Sequence, residues 1–398
     1  MRIADLRGYN FEFNNTHYIN DEEFIFGNTL KENKRYKRYF YKYNIYKRSI
    51  VKINKKGLLT TDDCRHSSLL RDDYIYTNLR EFLGGYVKTI LSRINIVTGA
   101  VELIAAIEGD FSVYFLSDSY AFLWENRLEF HQEDFDFQKD IQGDYVKLYL
   151  YDINNCARYK VLDKRLFLGL RNEIISYEHE GRNFILFQES YMEEWEKEEN
   201  YKKGVNKEDY YREGYKEGIY TISMDSFISA IKNGLKNIPM KPLKLAEEKG
   251  VARYLSMDTE NIYYRVKDFT KEIQYFYRTR KSDNKTDLIK KLKISKCNNV
   301  YYLCFQCPAN GIYEFKQEDN NRIYINEIIS EKPIYEGSGY RETFEAIIEN
   351  NLILSFWTED DRGKDYQDFI KIIDLKSEKT TIYKGTADIQ KNTLVIYS

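Results

Sequence analysis

The residue types that most often take part in catalysis are concentrated in the segment 60–73. Asp62, Asp63, Cys64 and His66 all lie within it. A carboxylate beside an imidazole can orient a general base, and an adjacent thiol can act as a nucleophile. Catalytic partners usually come from separate elements of a fold, because neighbours along the chain rarely reach that geometry. The sequence therefore favours a polar surface turn here over a catalytic site.

A short metal-like spacing occurs among the cysteines. Cys304 and Cys307 form a C-x-x-C pair, and Cys297 lies seven positions upstream of it. A structural zinc site needs four soft ligands, usually from two such pairs. This pair also lies in an apolar, strand-like run, where residues three positions apart point to opposite faces. The pattern favours buried structural thiols over a metal or redox centre.

Three further clusters of acidic residues resemble metal-binding sites only in part. His131 is followed by three acidic residues, and His179 lies between Glu178 and Glu180. The segment 358–365 (TEDDRGKD) is too short and too basic for a calcium loop, which needs alternating oxygen ligands and a late bidentate Glu. No phosphate loop, nucleophile elbow or H-E-x-x-H helix occurs. We therefore predict no catalytic residue, no metal and no cofactor.

The segment 31–56 departs from the balanced charge of the chain. It has eleven Lys or Arg residues, six aromatic residues and one acid, Glu32. Single-stranded nucleic-acid sites combine cations for phosphates with rings for bases. The alternation of Tyr39, Tyr41 and Tyr43 also fits a hairpin with buried rings and solvated lysines, which we favour. Nucleic-acid binding through 31–56 is kept as an alternative.

Composition limits the classes of protein to which the chain can belong. The 398 residues include 61 basic and 63 acidic side chains, with 42% hydrophobic and 31% charged residues. These values indicate a folded chain, and the balanced charge argues against a surface built for nucleic acid. No apolar run is long enough for a membrane span. The absence of a leader-like segment and the odd number of five cysteines favour a cytoplasmic protein with reduced thiols.

Alternating apolar residues predict short β-strands along most of the chain. Examples are DYIYTNL from Asp73, SVYFLS from Ser112, FILFQE from Phe184 and LILSFW from Leu352. The 37 tyrosines and 23 phenylalanines suit half-buried pleated surfaces. Turn-forming residues bound each run. Many short strands without intervening helices indicate a sandwich, a barrel or a propeller.

Internal repeats favour the propeller. RIYINEIISEKPIYEG from Arg322 and FIKIIDLKSEKTTIYKG from Phe369 both predict a strand, a Ser-Glu-Lys turn and a second strand. The copies along the chain are anchored on Ile45, Ile96, Ile153, Ile222, Ile294, Ile328 and Leu375. Most intervals fit one four-stranded blade of about 40–50 residues plus a loop. We predict an all-β, single-domain propeller over 1–398 with about seven four-stranded blades, six or eight being within the range.

In layout the chain resembles β-propellers of the WD40 and kelch kind. The repeated pairs Asp152-Ile153 and Asp374-Leu375 echo an Asp before the turn, although the Gly-His…Trp-Asp pairing and the kelch double glycine are absent. The resemblance implies a toroid with a central channel and loops on two faces, and it implies no activity.

Closure of such a ring requires its ends to be sealed, since an open toroid leaves exposed sheet edges. The last apolar run, Thr393 to Tyr397, alternates like a strand. We expect it to pair with an early strand, such as Tyr9 to Phe13 or Glu23 to Phe26, so that both termini share one blade.

A charged insertion at 189–218 interrupts the repeats. Its aromatic residues are Trp195, Tyr201, Tyr210, Tyr211 and Tyr215. A solvated, partly helical loop or hairpin is the plainer interpretation. The functional one is a lid or a partner-docking arm that uses these aromatic side chains. A short helix is predicted over 225–237, where Phe227, Ile231 and Leu235 form one apolar face.

The sequence contains repeated strand units but no recognisable catalytic motif, and this favours a binding module over an enzyme. We expect one face of the toroid, together with the insertion 189–218, to recognise a protein or peptide. A hydrolase or lyase acting on a carbohydrate or peptide at the channel mouth is the alternative, since blades can each donate one residue to a site. A small-molecule or carbohydrate ligand is compatible with the sequence, nucleic acid is disfavoured, and no membrane partner is expected.

Overall fold

The fold was obtained as a computed structural model, and β-strands make up most of its described part. The described residues are 1–9, 11–33, 35–60, 68–83, 86–125, 148–163, 166, 174–191, 216–245, 250–268, 270–293, 300–303, 313–317, 322–327, 332–338, 342–359, 366–390 and 393–397. The chain forms two compact units. One comprises Met1–Arg7, Leu168–Ser223 and Met240–Ser398, and the other comprises Gly8–Phe167 and Met224–Pro239.

Strand β1 (Arg2–Asp5) precedes the three blades of the unit that begins at Gly8. Blade 1 contains β2 (Phe11–Tyr18), β3 (Glu23–Glu32), β4 (Arg35–Asn44), β5 (Ser49–Lys52) and β6 (Leu58–Thr60). Blade 2 contains β7 (Ser68–Arg71), β8 (Tyr74–Leu83), β9 (Tyr86–Asn95) and β10 (Val101–Glu108). Blade 3 contains β11 (Phe111–Phe115), β12 (Tyr120–Glu125), β13 (Leu148–Asp152) and β14 (Ala157–Lys160). Consecutive strands pair antiparallel in blades 2 and 3, whereas in blade 1 both β5 and β6 pair with β4.

The other unit holds the remaining blades. Blade 4 contains β15 (Ile174–His179), β16 (Arg182–Tyr191), β17 (Lys216–Ser223) and β18 (Lys241–Leu245), and blade 5 contains β19 (Gly250–Met257), β20 (Asn261–Asp268), β21 (Ile273–Arg280) and β22 (Thr286–Lys293). Blade 6 contains β23 (Val300–Leu303), β24 (Tyr313–Gln317), β25 (Arg322–Glu327) and β26 (Lys332–Ser338). Blade 7 contains β27 (Thr343–Ile348), β28 (Asn351–Glu359), β29 (Tyr366–Asp374) and β30 (Thr380–Lys384). In blade 8, β31 (Thr386–Gln390) pairs with β32 (Thr393–Tyr397), and β32 pairs with β1.

The arrangement is an eight-bladed β-propeller, which lies within the range predicted from the sequence. The eighth blade, one more than the seven expected, is formed by strands from the two ends of the chain. Strand β1 pairs in parallel with β32, from Arg2 opposite Thr393 to Asp5 opposite Ile396. The prediction that the two termini share one blade, with the last strand paired to an early one, is therefore confirmed, whereas neither of the two segments named as examples is that partner. The segment around Glu23 to Phe26 is instead held between β2 and β4, and Phe11 pairs within blade 1.

Apolar layers between neighbouring blades form the core. In one unit, Phe40 and Ile94 belong to a cluster shared by blades 1 and 2. In the other, Leu354 packs on the blade 6 side of blade 7, and Ile353 packs on its blade 8 side. Successive strand residues point to opposite faces, so a blade buried on both faces needs continuous apolar runs. Each fully buried aliphatic side chain contributes about 1.5–3 kcal/mol.

The turn between the third and fourth strands repeats the same hydrogen bonds in several blades. An Asn or Asp side chain ending the third strand accepts a bond from the backbone N–H three residues later. The pairs are Lys47 to Asn44 at 2.9 Å, Thr98 to Asn95 at 2.9 Å, Asn155 to Asp152 at 3.1 Å and Ser377 to Asp374 at 2.8 Å. The next residues, whose N–H groups bond the turn between strands one and two, are Ile45, Ile96, Ile153 and Leu375. These repeat anchors therefore mark one recurring turn.

The remaining anchors do not mark this turn. Ile222 lies within β17, and Ile294 and Ile328 lie outside the described residues. Helix α1 (Met224–Lys232) follows β17, at the place where the sequence predicted a helix over 225–237. Phe227 is buried on it and contacts Phe122 of blade 3 at 5.8 Å between ring centroids.

The predicted apolar face of the helix is shorter than expected. Ile231 is buried, whereas Leu235 lies beyond the end of the helix and is 42% exposed. A helix long and apolar enough to cross a membrane is not found in the described part of the chain.

Candidate functional site

The aromatic residues proposed to bind a partner, Trp195, Tyr201, Tyr210, Tyr211 and Tyr215, lie outside the described residues. Their segment connects β16 to β17 of blade 4. The same holds for the chemical groups around Cys64 and His66, around His131, at Cys297, Cys304 and Cys307, and at Asp360, Asp361 and Asp365. Their expected roles stay predictions.

The basic segment 31–56 forms a hairpin whose rings are largely buried. Tyr39, Tyr41 and Tyr43 are each less than a tenth exposed. The ammonium of Lys52 lies 3.8 Å from the centroid of the Tyr39 ring, so it covers one of those faces. Stacking of nucleobases needs open ring faces. The burial supports the hairpin interpretation over nucleic-acid binding.

A serine–histidine contact joins blades 1 and 2. His17 Nε2 lies 2.7 Å from Ser68 Oγ. Burial, followed by the positive charge of Arg38, lowers the pKa of His17 to about 4. A general base must accept a proton in the reaction, and both causes oppose an imidazolium here. The contact is therefore better suited to holding two strands together than to activating Ser68.

The Glu178–His179–Glu180 motif forms the tight hairpin between β15 and β16. His179 Nε2 is 3.8 Å from a carboxylate oxygen of Glu180, which is 76% exposed. Glu180 and Gly181 both adopt positive φ, as this kind of two-residue turn requires. Within the part of the chain that is described, no three His, Cys, Asp or Glu side chains converge as metal ligands would.

The candidate site is built on blade 7 and starts from a β-bulge in β27. Phe344 pairs with Leu354 and Ala346 pairs with Ile353, so Glu345 is an extra residue between two register pairs. A bulge re-aims the side chain it carries. The carboxylate of Glu345 accepts a short hydrogen bond from Ser355 Oγ on β28.

Acidic and aromatic side chains continue from this point along the blade 8 side of blade 7. Trp357 is the register partner of Asp368, and Glu359 is the register partner of Tyr366. The indole of Trp357 meets the ring of Tyr366 edge-on at 5.1 Å, and Tyr366 is 64% exposed. We call Glu345, Ser355, Trp357, Glu359, Tyr366 and Asp368 the acidic–aromatic strip.

Strand periodicity accounts for the sidedness of the strip. Ile353 and Ile370 pack toward blade 8, and residues two positions along each strand share that face. The lysines in the described strands of blade 7, Lys371 and Lys384, alternate to the opposite face. Lys371 Nζ there forms an ion pair of 2.9 Å with Glu342. The described strands of blade 7 therefore place carboxylates and no lysine on the face that carries the strip, while the Arg7 guanidinium lies 5.9 Å from the centroid of the Tyr383 ring on that face.

Burial and neighbouring charges perturb two groups near the inner end of the strip. Burial raises the pKa of Glu345, and the hydrogen bond from Ser355 opposes this only in part. The pKa of Tyr397, on β32, is raised first by burial and further by Asp388, Glu345 and Asp368. The carboxylates of Asp388, Glu345 and Asp368 thus all act on the Tyr397 hydroxyl, and burial favours the protonated form of Glu345.

The sequence contained a signal for this strip that motif searches do not use. Trp357 and Glu359 end one strand and Tyr366 and Asp368 begin the next, with the charged segment 360–365 between them. Residues at every second position of a strand point to the same face, and residues paired across a hairpin share a face, so these aromatic and acidic residues lie together. The bulge at Glu345 gives no comparable signal.

Comparison with known proteins places the chain in no family. No family model and no curated protein matches the sequence. Among solved structures it is similar to a prolyl endopeptidase with 11% identity and a TM-score of 0.47, over 94% of this chain and 50% of that one. An oligogalacturonate lyase in complex with manganese gives 10% identity and a TM-score of 0.44, covering 94% of this chain and 89% of that one. The β-propeller domain of the Trilobed protease from Pyrococcus furiosus gives 11% and 0.42, covering 93% and 99%.

The chain spans about half the length of the prolyl endopeptidase. At these sequence identities and TM-scores, the similarity gives no ground for assigning the activity of any of these proteins to this chain.

Proposed function

We propose that this β-propeller is a binding module for a protein or peptide and that the acidic–aromatic strip receives a basic side chain of the partner. The observation that carries the proposal is the placement of Glu345, Glu359 and Asp368 on one face with two aromatic rings. A Lys or Arg side chain can stack on a ring while it pairs with a carboxylate.

The insertion 189–218 has a supporting role in this proposal. It leaves and re-enters blade 4 between β16 and β17, the same connection that carries the segment 360–365 in blade 7. Its aromatic residues would enlarge the contact area, since Trp and Tyr supply most of the energy at many interfaces. Replacement of 192–215 by a short Gly-Ser linker should leave the melting temperature unchanged and weaken peptide binding. Unchanged binding would remove the insertion from the recognition surface.

A peptide binding assay tests the role of the strip. We suggest fluorescence anisotropy with labelled hexapeptides that are identical except for a central Arg, Lys, Gln or Glu. The Arg and Lys peptides should bind, and Asp368→Asn should weaken them about tenfold, as expected for loss of one charge-assisted contact. The affinity should also fall as ionic strength rises.

The matched control is Glu378→Gln, which removes an exposed carboxylate from the opposite end of the same blade. It should leave the affinity for the Arg peptide unchanged. Equal binding of the Glu and Arg peptides, or an equal loss in both variants, would contradict recognition of a basic residue by the strip.

A hydrolase or lyase acting on a carbohydrate is the second candidate, and Glu345 is the observation that favours it. A carboxyl group with a raised pKa can donate a proton, while a second carboxyl group on the same face, such as that of Asp368, can act as base or nucleophile. A panel of chromogenic glycosides and uronides tests this activity. Turnover that is lost in Glu345→Gln would support it, and the absence of turnover across the panel would count against it.

A further inference from the structure

The outer edge of blade 1 carries a strong excess of positive charge. The stretch 33–61 contains ten Lys or Arg residues and no Asp or Glu, although the whole chain has 61 basic and 63 acidic side chains. Five of the ten are exposed and lie on β5 or in the connections on either side of it. We call these five residues the basic edge: Lys47, Arg48, Lys52, Lys55 and Lys56.

A buried asparagine fixes the connection between β5 and β6. Asn54 is fully buried, and its side-chain oxygen accepts a hydrogen bond from Phe40 N on β4 at 2.7 Å. Its side-chain nitrogen donates to the carbonyl oxygens of Arg38 at 3.2 Å and Lys56 at 3.0 Å. Asn54 therefore satisfies the part of β4 that lies between its pairs with β5 and β6. It also holds the backbone that carries Lys56 in one position at the edge.

The cations of the basic edge are not neutralised by the described part of the chain. Four of them form no ion pair with a described residue: Lys47, Arg48, Lys55 and Lys56. The fifth, Lys52, lies over the ring of Tyr39. Glu32, on the neighbouring strand β3, is already paired with Lys37 at 2.9 Å. The adjoining turn between β2 and β3 carries two exposed acids, at positions 21 and 22, so the excess of positive charge is greatest toward β6.

Strand β5 also has a free backbone edge. Among the described strands it pairs only with β4. Ile53 N donates to Phe40 O at 2.8 Å, so the ladder with β4 uses Ile53 and every second residue before it. The backbone N–H and C=O groups of Ile50 and Lys52 therefore point away from β4.

The chemistry of this edge selects among the chains that could pair with it. An open strand edge accepts an extended segment of another molecule, and lysines on the edge oppose this for like-charged strands. Two copies of the protein would place like charges opposite each other, whereas an acidic segment meets opposite charge. Val51 and Leu59, which are 56% and 54% exposed, offer contacts to apolar side chains at the same edge. A phosphate backbone has no such side chains, so the surface fits a peptide better than a nucleic acid.

We infer that the basic edge is a docking site for an acidic segment of a partner protein, which binds in extended form along β5. The main chain of the segment pairs with Ile50 and Lys52, and its carboxylates lie against the surrounding ammonium and guanidinium groups. The site uses no residue of the acidic–aromatic strip, so it goes beyond the function proposed above.

Calorimetric titration of the full chain with octapeptides tests this site. An alternating Glu-Val peptide should bind, with an affinity that falls as the ionic strength rises, and its Gln-Val counterpart should not bind. Lys55→Gln combined with Lys56→Gln should weaken binding about fivefold, since each exposed ion pair contributes only a small part of the affinity. The matched control is Lys376→Gln combined with Lys379→Gln, which removes two exposed lysines from the turn between β29 and β30. Both double variants should keep the melting temperature of the wild type.

A backbone-methylated peptide tests the extended binding mode. N-methylation of the four central residues of the Glu-Val peptide keeps its charge and removes N–H donors, so the affinity should fall about tenfold. Asp368→Asn, in the acidic–aromatic strip, should leave the affinity for the Glu-Val peptide unchanged, which separates this inference from the function proposed above. The inference is overturned if the Gln-Val or the methylated peptide binds as tightly as the Glu-Val peptide. Tighter binding of a short DNA duplex, or equal losses in the two double variants, would overturn it as well.

Discussion

Lys232 and Asp152 form an ion pair of 2.6 Å that ties the last turn of α1 to blade 3. The Asp152 side chain is almost fully buried, and it also accepts the Asx-turn hydrogen bond of its own blade. The Lys232 ammonium donates to the Tyr120 hydroxyl at 3.0 Å as well. One carboxylate therefore serves both the repeated turn of the propeller and the attachment of the helix.

The first prediction concerns this pair. Lys232→Met should destabilise the protein by about 2 kcal/mol, because a buried carboxylate loses its ionic partner. Hydrogen bonds to Asp152 and Tyr120 raise the pKa of Lys232. For Asp152, burial acts to raise the pKa, but the bonds from Lys232 and Asn155 outweigh it and lower the pKa.

The pH dependence follows from these directions. The contribution of Asp152 is present above the pKa of an unfolded Asp and is lost as the pH falls through the lower folded value. That of Lys232 is present below the pKa of an unfolded Lys and is lost as the pH rises through the higher folded value. Urea denaturation of wild type and Lys232→Met at several pH values measures the difference, with the exposed Lys236→Met as control. Equal losses in the two variants would exclude a specific role for the pair.

The second prediction concerns Gly99 in the repeated turn of blade 2. The equivalent position is Arg48 in blade 1, Cys156 in blade 3 and Glu378 in blade 7, and all three adopt positive φ. Positive φ alone therefore does not require glycine here. A Cβ at Gly99 would instead collide with the carbonyl oxygen of Ile53.

Gly99→Ala should therefore lower the stability by more than the roughly 1 kcal/mol that positive φ costs an alanine. Gly181→Ala is the matched control, because Gly181 also has positive φ but has free space where its Cβ would lie. Thermal denaturation should show the larger loss for Gly99→Ala. Indistinguishable melting temperatures would show that the Ile53 carbonyl moves at little cost.

The third prediction concerns closure of blade 8. Ile396 on β32 is fully buried against blade 7, and its carbonyl accepts a hydrogen bond from Leu6 N at 2.7 Å. Ile396→Ala should cost about 2–5 kcal/mol through lost burial and a residual cavity. Ile382→Ala removes the same atoms from a side chain that is 55% exposed, and it should cost far less. Similar melting temperatures for the two variants would mean that β32 contributes little to stability.

The fold was more predictable than the site. Alternation and the Asx-plus-apolar pairs such as Asp374-Leu375 repeat along the chain, so the propeller follows from local patterns. The eighth blade was not counted because β1 is only four residues long and its partner lies at the other end of the chain. Such a pairing has no local signature.

The site depends on a local irregularity of β27, which the alternation of residues along a strand does not predict. Counting back from Ile348, strict alternation would place Glu345 on the blade 6 side of β27. The bulge moves it to the side of Ser355 instead. A shift of one residue reverses the face of a side chain, so an unrecognised bulge hides a site residue. The pairing of Arg253 with Arg265 is not evident from the sequence for a different reason, because the two residues come opposite each other only when β19 and β20 are in register.

The fourth prediction uses the charge of Lys267. Burial and the neighbouring arginines hold its folded pKa at about 8, below the value of about 10.4 for an unfolded lysine. Between these values the unfolded chain binds more protons, so the free energy of unfolding should rise with pH. Relative to Lys267→Met, the wild type should gain on the order of 2 kcal/mol across this window. Parallel stability curves for wild type and Lys267→Met would show that burial and the neighbouring arginines do not lower the pKa of Lys267 as described.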